Sequence, residues 1–524
     1  MAPVTRSKTA TGRRATKRRR SDDDPPSEPP AKLTTTINDL PEELLERIAA
    51  YLNIIPEKDW GPPESREEPP RKQWRPRHLH PLSLVSKKFS RIATPLLYST
   101  FVNDQQPTAL YQFLHTIIHN PHLATHVRSV VIGAFDEEEL AGQYLDDVSE
   151  ADYYRFEAAR PAMIKCAKKV DFGTRKDSRK TWLQQLEARK FEADVSFLLT
   201  QTPNLEVLDL ETFAFGLHDL YACTFNLISL AVPHGNKNGI QGLFANLRHV
   251  VLTDESTIDH SKDHAFPEIL HFPSLRNLEI RFIVDRTDSF SSLEKRSSNA
   301  EMLLVEEVMA TPWLAPDFID ACRRLKHLVY MFGNGFYEDD FDEDDEEEVT
   351  YFDGLYSAVL AHKDTLETLV LQTKFSDGCL EPIAAIGPLK DLQHLRHLTI
   401  SGVLLFDNLA LDGPAPTPGS ARELLERGIS PCEHFFPQSL QSLEIEIYSV
   451  PARRAPLVLF LFAHIKEGRK HGLLPNLRRL KVITRPAVET GGYWEDVLVE
   501  AGDSIGLEHF RLLTVWREPD DDDE

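Results

Sequence analysis

One short pattern, leucine-x-x-leucine-x-leucine with aliphatic or aromatic substitutes, recurs along this chain. It reads Leu205/Leu208/Leu210, Leu227/Leu230/Val232, Leu247/Val250/Leu252 and Leu275/Leu278/Ile280. It returns as Leu325/Leu328/Tyr330, Leu366/Leu369/Leu371, Leu395/Leu398/Ile400, Leu440/Leu443/Ile445 and Leu477/Leu480/Val482, with weaker copies at Val127/Val130/Ile132 and Leu507/Phe510/Leu512. Asn, Ser or a basic residue often stands just before the first position. In an extended strand alternate residues face opposite sides, so the leucines predict a buried face and the intervening residues an open, concave one. Helical spacing fills several intervals, at Phe191–Leu199, Tyr356–Leu360 and Leu457–Ile465. No such unit buries its apolar face alone, whereas stacked neighbours do. The expected fold class is α/β.

From Leu205 to Leu507 the copies begin 22, 20, 28, 50, 41, 29, 45, 37 and 30 residues apart. Leucine-rich repeats run ~20–29 residues, so several intervals fit and the others need insertions. The pattern therefore predicts an irregular leucine-rich-repeat-like solenoid over residues 105–516, with an unrelated α/β domain of parallel strands as the alternative.

The N-terminal part follows a different period. Asn38-Asp39-Leu40-Pro41-Glu42-Glu43 reads as a helix start. Proline suits the first helical position, and the glutamates face the positive end of the helix dipole. Leu44, Leu45, Ile48 and Leu52 follow at helical spacing. From Asn53 to about His80 the chain is rich in proline and charge, as an inserted loop would be. Helical spacing resumes with Leu82, Val85, Phe89 and Ile92 and stops at Pro95. Residues 37–104 thus form a small helical module behind a disordered basic tail and linker, 1–36, and the chain closes on an acidic tail, 517–524.

Charge sharpens this picture. The net charge is −23, yet the first twenty residues carry eight bases, Arg6, Lys8, Arg13, Arg14, Lys17, Arg18, Arg19 and Arg20, and no acid. Much of the opposing excess sits in Glu338–Glu348 and Glu518–Glu524, blocks that repel themselves and stay solvated. So acidic a body suits phosphate backbones poorly, and nucleic-acid binding is not expected. The basic arm reads as disordered and, within that, as a nuclear-import address ahead of a DNA-binding arm, and the expected localisation is nucleus and/or cytoplasm. No apolar run approaches the ~18–20 residues of a membrane span. Five scattered cysteines without a C-x-x-C pair argue against a disulfide framework or structural zinc.

Catalytic signals are absent from the pattern. There is no phosphate-binding glycine loop, nucleophile elbow or H-E-x-x-H motif. His115 and His119 have ligand-like spacing, but Thr116 stands where a metalloprotease has glutamate, and a surface or half-buried pair is the better reading. Asp340, Asp342 and Asp344 imitate a calcium loop until Asp345 replaces its glycine. Cys223 and Cys379 lack a neighbouring base. No catalytic residue, metal or cofactor is expected.

The segment Leu40-Pro41-Glu42-Glu43-Leu44-Leu45-Glu46-Arg47-Ile48, then Leu82-Ser83-Leu84-Val85-Ser86-Lys87-Lys88-Phe89 and Pro95-Leu96-Leu97-Tyr98, resembles an F-box. An F-box followed by leucine-rich repeats is similar to the substrate receptor of a Skp–cullin–F-box ubiquitin ligase. The resemblance implies docking on the Skp-type adaptor and cullin scaffold, and capture of an unknown protein substrate by the repeats. Leu40, Pro41, Leu44, Leu45, Ile48, Leu52, Leu84, Val85 and Phe89 fall at the motif's adaptor-facing or module-core positions, two roles the sequence leaves open. For the substrate, the intervening residues Glu206, Asp209, Arg276, Glu279, Gln441 and Glu444 are the candidates. The alternative is a repeat scaffold that binds the adaptor without ubiquitin transfer.

Overall fold

The computed structural model describes residues 37–52, 78–103, 107–133, 150–172, 176–212, 242–254, 269–281, 293–308, 314–332, 351–373, 386–405, 435–450, 455–486 and 502–514, with Leu227, Ala231 and Val499. The basic arm, most of the 53–80 loop, both acidic blocks, Cys223, Cys379, Cys432 and most of the copy at Leu227 lie outside them.

Among the described residues twelve strands form one parallel sheet in unbroken sequence order. They are β1 (Thr100–Asn103), β2 (Ser129–Ile132), β3 (Val207–Thr212), β4 (His249–Asp254), β5 (Asn277–Arg281), β6 (Met302–Val308), β7 (His327–Phe332), β8 (Thr368–Thr373), β9 (His397–Ser401), β10 (Ser442–Val450), β11 (Arg479–Pro486) and β12 (His509–Thr514). Ten of the eleven sequence copies are strands. β1 and β6 were not foreseen: β6 has Ala300 where the pattern asks for leucine, and it divides the 50-residue interval into two of 25. β1 begins at Thr100, five residues ahead of the expected start of the repeats.

The register explains the repetition. Leu208, Val250, Leu278, Leu303, Leu328, Leu369, Leu398, Leu443 and Leu480 stand side by side in one row, each almost fully buried. A second row runs two residues later, from Leu210 through Ile280 and Leu371 to Val482. Helices pack over both, among them Phe191–Gln201, Leu314–Ala321, Tyr351–Leu360 and Ala455–Lys470, and the whole forms one continuous apolar core. Each fully buried leucine contributes roughly 1.5–3 kcal/mol, and a one-residue slip would turn its row to the opposite face.

The polar residue before six of the motifs has a structural reason. Asn204 Nδ2 donates to Thr125 O (2.8 Å), Asn299 Nδ2 to Pro273 O (3.0 Å) and Asn476 Nδ2 to Gln438 O (3.0 Å). Ser274 Oγ donates to Ala245 O (2.6 Å), Thr365 Oγ1 to Leu325 O (2.8 Å) and Ser439 Oγ to Leu395 O (2.7 Å). Each side chain caps a carbonyl of the preceding repeat where a parallel sheet leaves its turn backbone without ladder partners.

Two polar links sit inside the helical layer. Between β2 and β3 the chain forms α6 (Glu150–Ala167), α7 (Lys176–Glu187) and α8 (Phe191–Gln201). Arg160 on α6 grips buried Asp194 on α8 through two bonds (2.6 and 3.1 Å) and donates to Leu186 O on α7 (3.2 Å). Burial pushes the Asp194 carboxyl up to about 6 despite the guanidinium beside it. Further along, buried His362 accepts from Leu325 N (3.3 Å) at Nδ1 and donates to Ile319 O (2.9 Å) at Nε2. Burial holds its pKa below the usual histidine range, which favours this neutral form.

Ahead of β1, α1 (Glu42–Leu52), α2 (Leu79–Ser83) and α3 (Lys87–Leu97) form a separate small core around Leu45, Ala49, Leu79, Phe89 and Ile92. Ser86 caps α3 by accepting from Phe89 N (3.3 Å). Lys88 Nζ donates to Leu40 O (2.7 Å), and Arg91 pairs with Glu42 (2.5 Å).

Replacing Asp194 with alanine removes both carboxylate bonds from buried Arg160. Chemical denaturation should show a loss of about 3–5 kcal/mol in the transition that includes α6–α8.

Candidate protein-binding surfaces

The first surface belongs to the helical module, whose nine candidate positions divide into three groups. Leu45 and Phe89 are fully buried in the module's core. Leu40, Ile48 and Leu52 are half-buried and pack against it. Pro41 is exposed, as are Leu44 (44%), Leu84 (72%) and Val85 (58%). Tyr51, 80% exposed, was missed. Its signal was present, because Leu44, Ile48 and Tyr51 stand at i, i+4 and i+7 on one helix face. Among the described residues, five of the seven exposed large hydrophobics lie between Ile37 and Val85. Exposed apolar side chains gathered this densely are what an interaction site presents.

The module is joined stiffly to the sheet. Two residues separate α3 from β1. Tyr98 packs on Phe113 of α4 (Pro107–His119) with ring centroids 6.1 Å apart, and Ser99 O accepts from Arg128 N (2.7 Å) and Ser129 N (3.0 Å).

The second surface is the sheet face turned away from the helices, the far face. Here the structure corrects the expectation. The residue that shares this face with Asp209 is Val207, two positions earlier, whereas Glu206, Arg276 and Gln441 stand at the strand starts. There charges alternate between repeats: Arg128–Glu206 at 3.6 Å, Arg276–Glu301 at 3.9 Å and Lys326–Glu301 at 2.6 Å. Arg276 and Gln441 are exposed and Glu206 is half-buried. Asp209, Glu279 and Glu444 do lie on the far face but are buried, at 2%, 0% and 8% exposure. They are not the open row that their polarity suggested: Glu279 is held by His249 and Arg281, and Glu444 lies against Lys481.

The far face changes character along the solenoid. On β4–β6, Glu279 bonds His249 Nε2 (3.0 Å) and Arg281 (3.1 Å), and Arg281 reaches Glu306 (3.4 Å). Across β6–β8 it turns apolar, with Leu304, Val329, Met331 and Val370 in one buried cluster. On β8–β10 Gln372 Nε2 donates to Glu446 across β9, where Ser401 is small enough to be bridged. Lys481 lies 3.4 Å from Glu444. Desolvation, then the neighbouring Glu446, pushes the Glu444 carboxyl up to about 7. Histidines at the first far-face position, His249, His327 and His397, were also missed. They fall one place after the residues that the pattern singled out.

No group of three or more ligating side chains is placed for a metal among the described residues. His115 and His119 stack at 4.2 Å between ring centroids on α4, half-buried and exposed. Burial pushes the Cys322 thiol up to about 12, far from a reactive thiolate. No helix among the described residues is long and apolar enough to cross a membrane.

A leucine-rich repeat domain model matches residues 104–491, most of the chain and ten of the twelve described strands, β2 to β11. The chain belongs to the leucine-rich-repeat family. That model does not extend over the helical module, and no curated protein matches the sequence. A leucine-rich-repeat solenoid offers repeated surface positions to protein partners.

Glu444 binds a proton more tightly in the folded chain than its ordinary value of 4.5 would allow. Its stabilising contribution is complete below that value and disappears as pH rises through about 7. Glu444→Gln should therefore melt higher than the parent at pH near 8, by roughly 1–3 °C, and like the parent near pH 4.5. Scanning calorimetry at the two pH values checks this.

Proposed function

We propose that this leucine-rich-repeat protein is the substrate receptor of an SCF-type ubiquitin ligase, its helical module acting as an F-box. The observation that carries the reading is the division within that module. Leu45, Phe89, Ala49 and Ile92 make a small core, while Leu44, Tyr51, Leu84 and Val85 remain exposed beside it. A free three-helix module has no use for such side chains, whereas a helix-binding groove on an adaptor does. The order of the F-box-like motifs supports the same reading, and so does the short joint at Tyr98 and Ser99. A stiff joint keeps a captured protein at a set distance from the adaptor. The receptor's contribution to ubiquitin transfer is then proximity, a raised local concentration of substrate lysines, with the chemistry done by other subunits.

The same observation supports adaptor binding without transfer, and the two readings separate at the cullin. A receptor co-purifies with adaptor, cullin and ubiquitin chains on a bound protein. A scaffold brings down the adaptor alone.

Leu44→Asp and Val85→Asp place a charge in the groove at a cost of at least ~2 kcal/mol, about thirtyfold in affinity. Both positions are exposed, so the melting temperature should stay within about 1 °C of the parent. Leu45→Asp should instead unfold the module. Adaptor capture by calorimetry, read beside thermal melts, checks the contrast. Capture unchanged in the first two variants would overturn the reading. Alanines at Lys17–Arg20 should shift a fluorescent fusion from nucleus to cytoplasm if the arm is an import address.

A further inference from the structure

The last two strands carry cations where a sheet ordinarily avoids them. On the far face of β11 and β12, Arg479 stands opposite His509 and Lys481 opposite Arg511. Core-facing Leu480 and Val482 on one strand, and Phe510 and Leu512 on the other, fix that orientation. Like charges directly opposite one another destabilise a strand pair, and adjacent strands lie only about 4.8 Å apart. Lys481 registers the crowding: desolvation first, and Arg511 second, hold its pKa below the usual lysine range. Arg479, His509 and Arg511 are exposed. The nearest described carboxylates on this face are Glu444 and Glu446 of β10, both buried, with Glu444 turned to Lys481. Glu508 is exposed just ahead of β12. In a chain of net charge −23, this is an uncommon concentration of positive charge.

Charge on an edge strand also guards against pairing with a second copy. That role would be met by β12 alone and does not require Lys481 and Arg479 on the strand inside it.

We propose that this cationic square is the docking site of the chain's own acidic run, Glu518–Glu524. Six of its seven residues are acids, the complement of Arg479, Lys481 and Arg511. The chain leaves β12 at Thr514, four residues before Glu518. At about 3.3 Å per residue the run reaches back across both strands after one reversal of direction. Tethering holds it at an effective concentration in the millimolar range. Docked there, it covers the C-terminal end of the far face. An acidic segment of a partner protein would have to displace it, so the run acts as a built-in competitor. The inference is independent of the F-box reading.

The test uses the full chain and a fluorescent peptide of residues 515–524. In a full-length variant with the six acids of the run replaced by Asn and Gln, the peptide should bind at low salt. The parent, whose site is occupied in cis, should bind it about tenfold more weakly or worse. Binding should fall severalfold as ionic strength rises past about 0.15 M. Adding Arg479→Gln and Arg511→Gln to the neutralised variant should abolish it, with the thermal melt unchanged. Should that variant fail to fold, Arg511→Gln alone, at an exposed position, should still cut binding about tenfold. Equal binding by parent and neutralised chain, no binding by the neutralised chain, or binding that survives loss of the arginines would each overturn the proposal.

Discussion

Each repeat depends on its neighbours, because a single strand and helix cannot enclose the apolar face they share. Parallel stacking in unbroken order solves this. Leu208 is buried by Val130 and Val250 on the strands beside it and by the helices above, and the same holds for every interior row. The ladder bonds transmit register from strand to strand. The Asn, Ser and Thr caps on the previous repeat's carbonyls close the backbone that the ladder leaves over. Stability therefore accumulates along the array, and local damage spreads chiefly to adjacent repeats.

That architecture separates two tasks. Leucine rows and caps hold the solenoid together, and they leave the far face free to vary from strand to strand. Its succession of a His–Glu–Arg network, an apolar cluster, a carboxylate pair and a cationic end has no counterpart in the uniform core. Some of this variety carries a cost. Glu444 keeps a carboxylate where desolvation and Glu446 oppose its ionisation, and Lys481 stands against Arg511. Groups held against their own electrostatics are candidates for recognition.

The helical module presents the complementary case. Its core is small, and one of its helix faces is left to solvent. The Tyr98–Ser99 joint then ties that face to the first repeats without a flexible linker. If the module docks as proposed, orientation is built into the chain, and little entropy is lost in presenting a bound protein.

Much of this was legible in the residues themselves. The period-two pattern of leucines decides which side of each strand is buried, because alternation is a property of a single strand. The two strands that escaped notice, β1 and β6, begin their motifs with Tyr98 and Ala300 in place of leucine. Helical spacing likewise outlined α1 and the body of α3, although α3 starts only after Ser86 and runs on through Pro95 to Leu97, where the pattern expected it to stop. The pattern could not tell Leu44 from Leu45, adjacent apolar residues of which one is exposed and the other buried. Nor could it tell that Asp209, Glu279 and Glu444 are enclosed while Arg479 and Arg511 are open. It gave no hint that Arg160 meets Asp194 or that His362 bridges two repeats. Sequence period determines the face on which a side chain stands, since that follows from local backbone geometry. What covers that face comes from residues tens of positions away, and only the tertiary structure decides it.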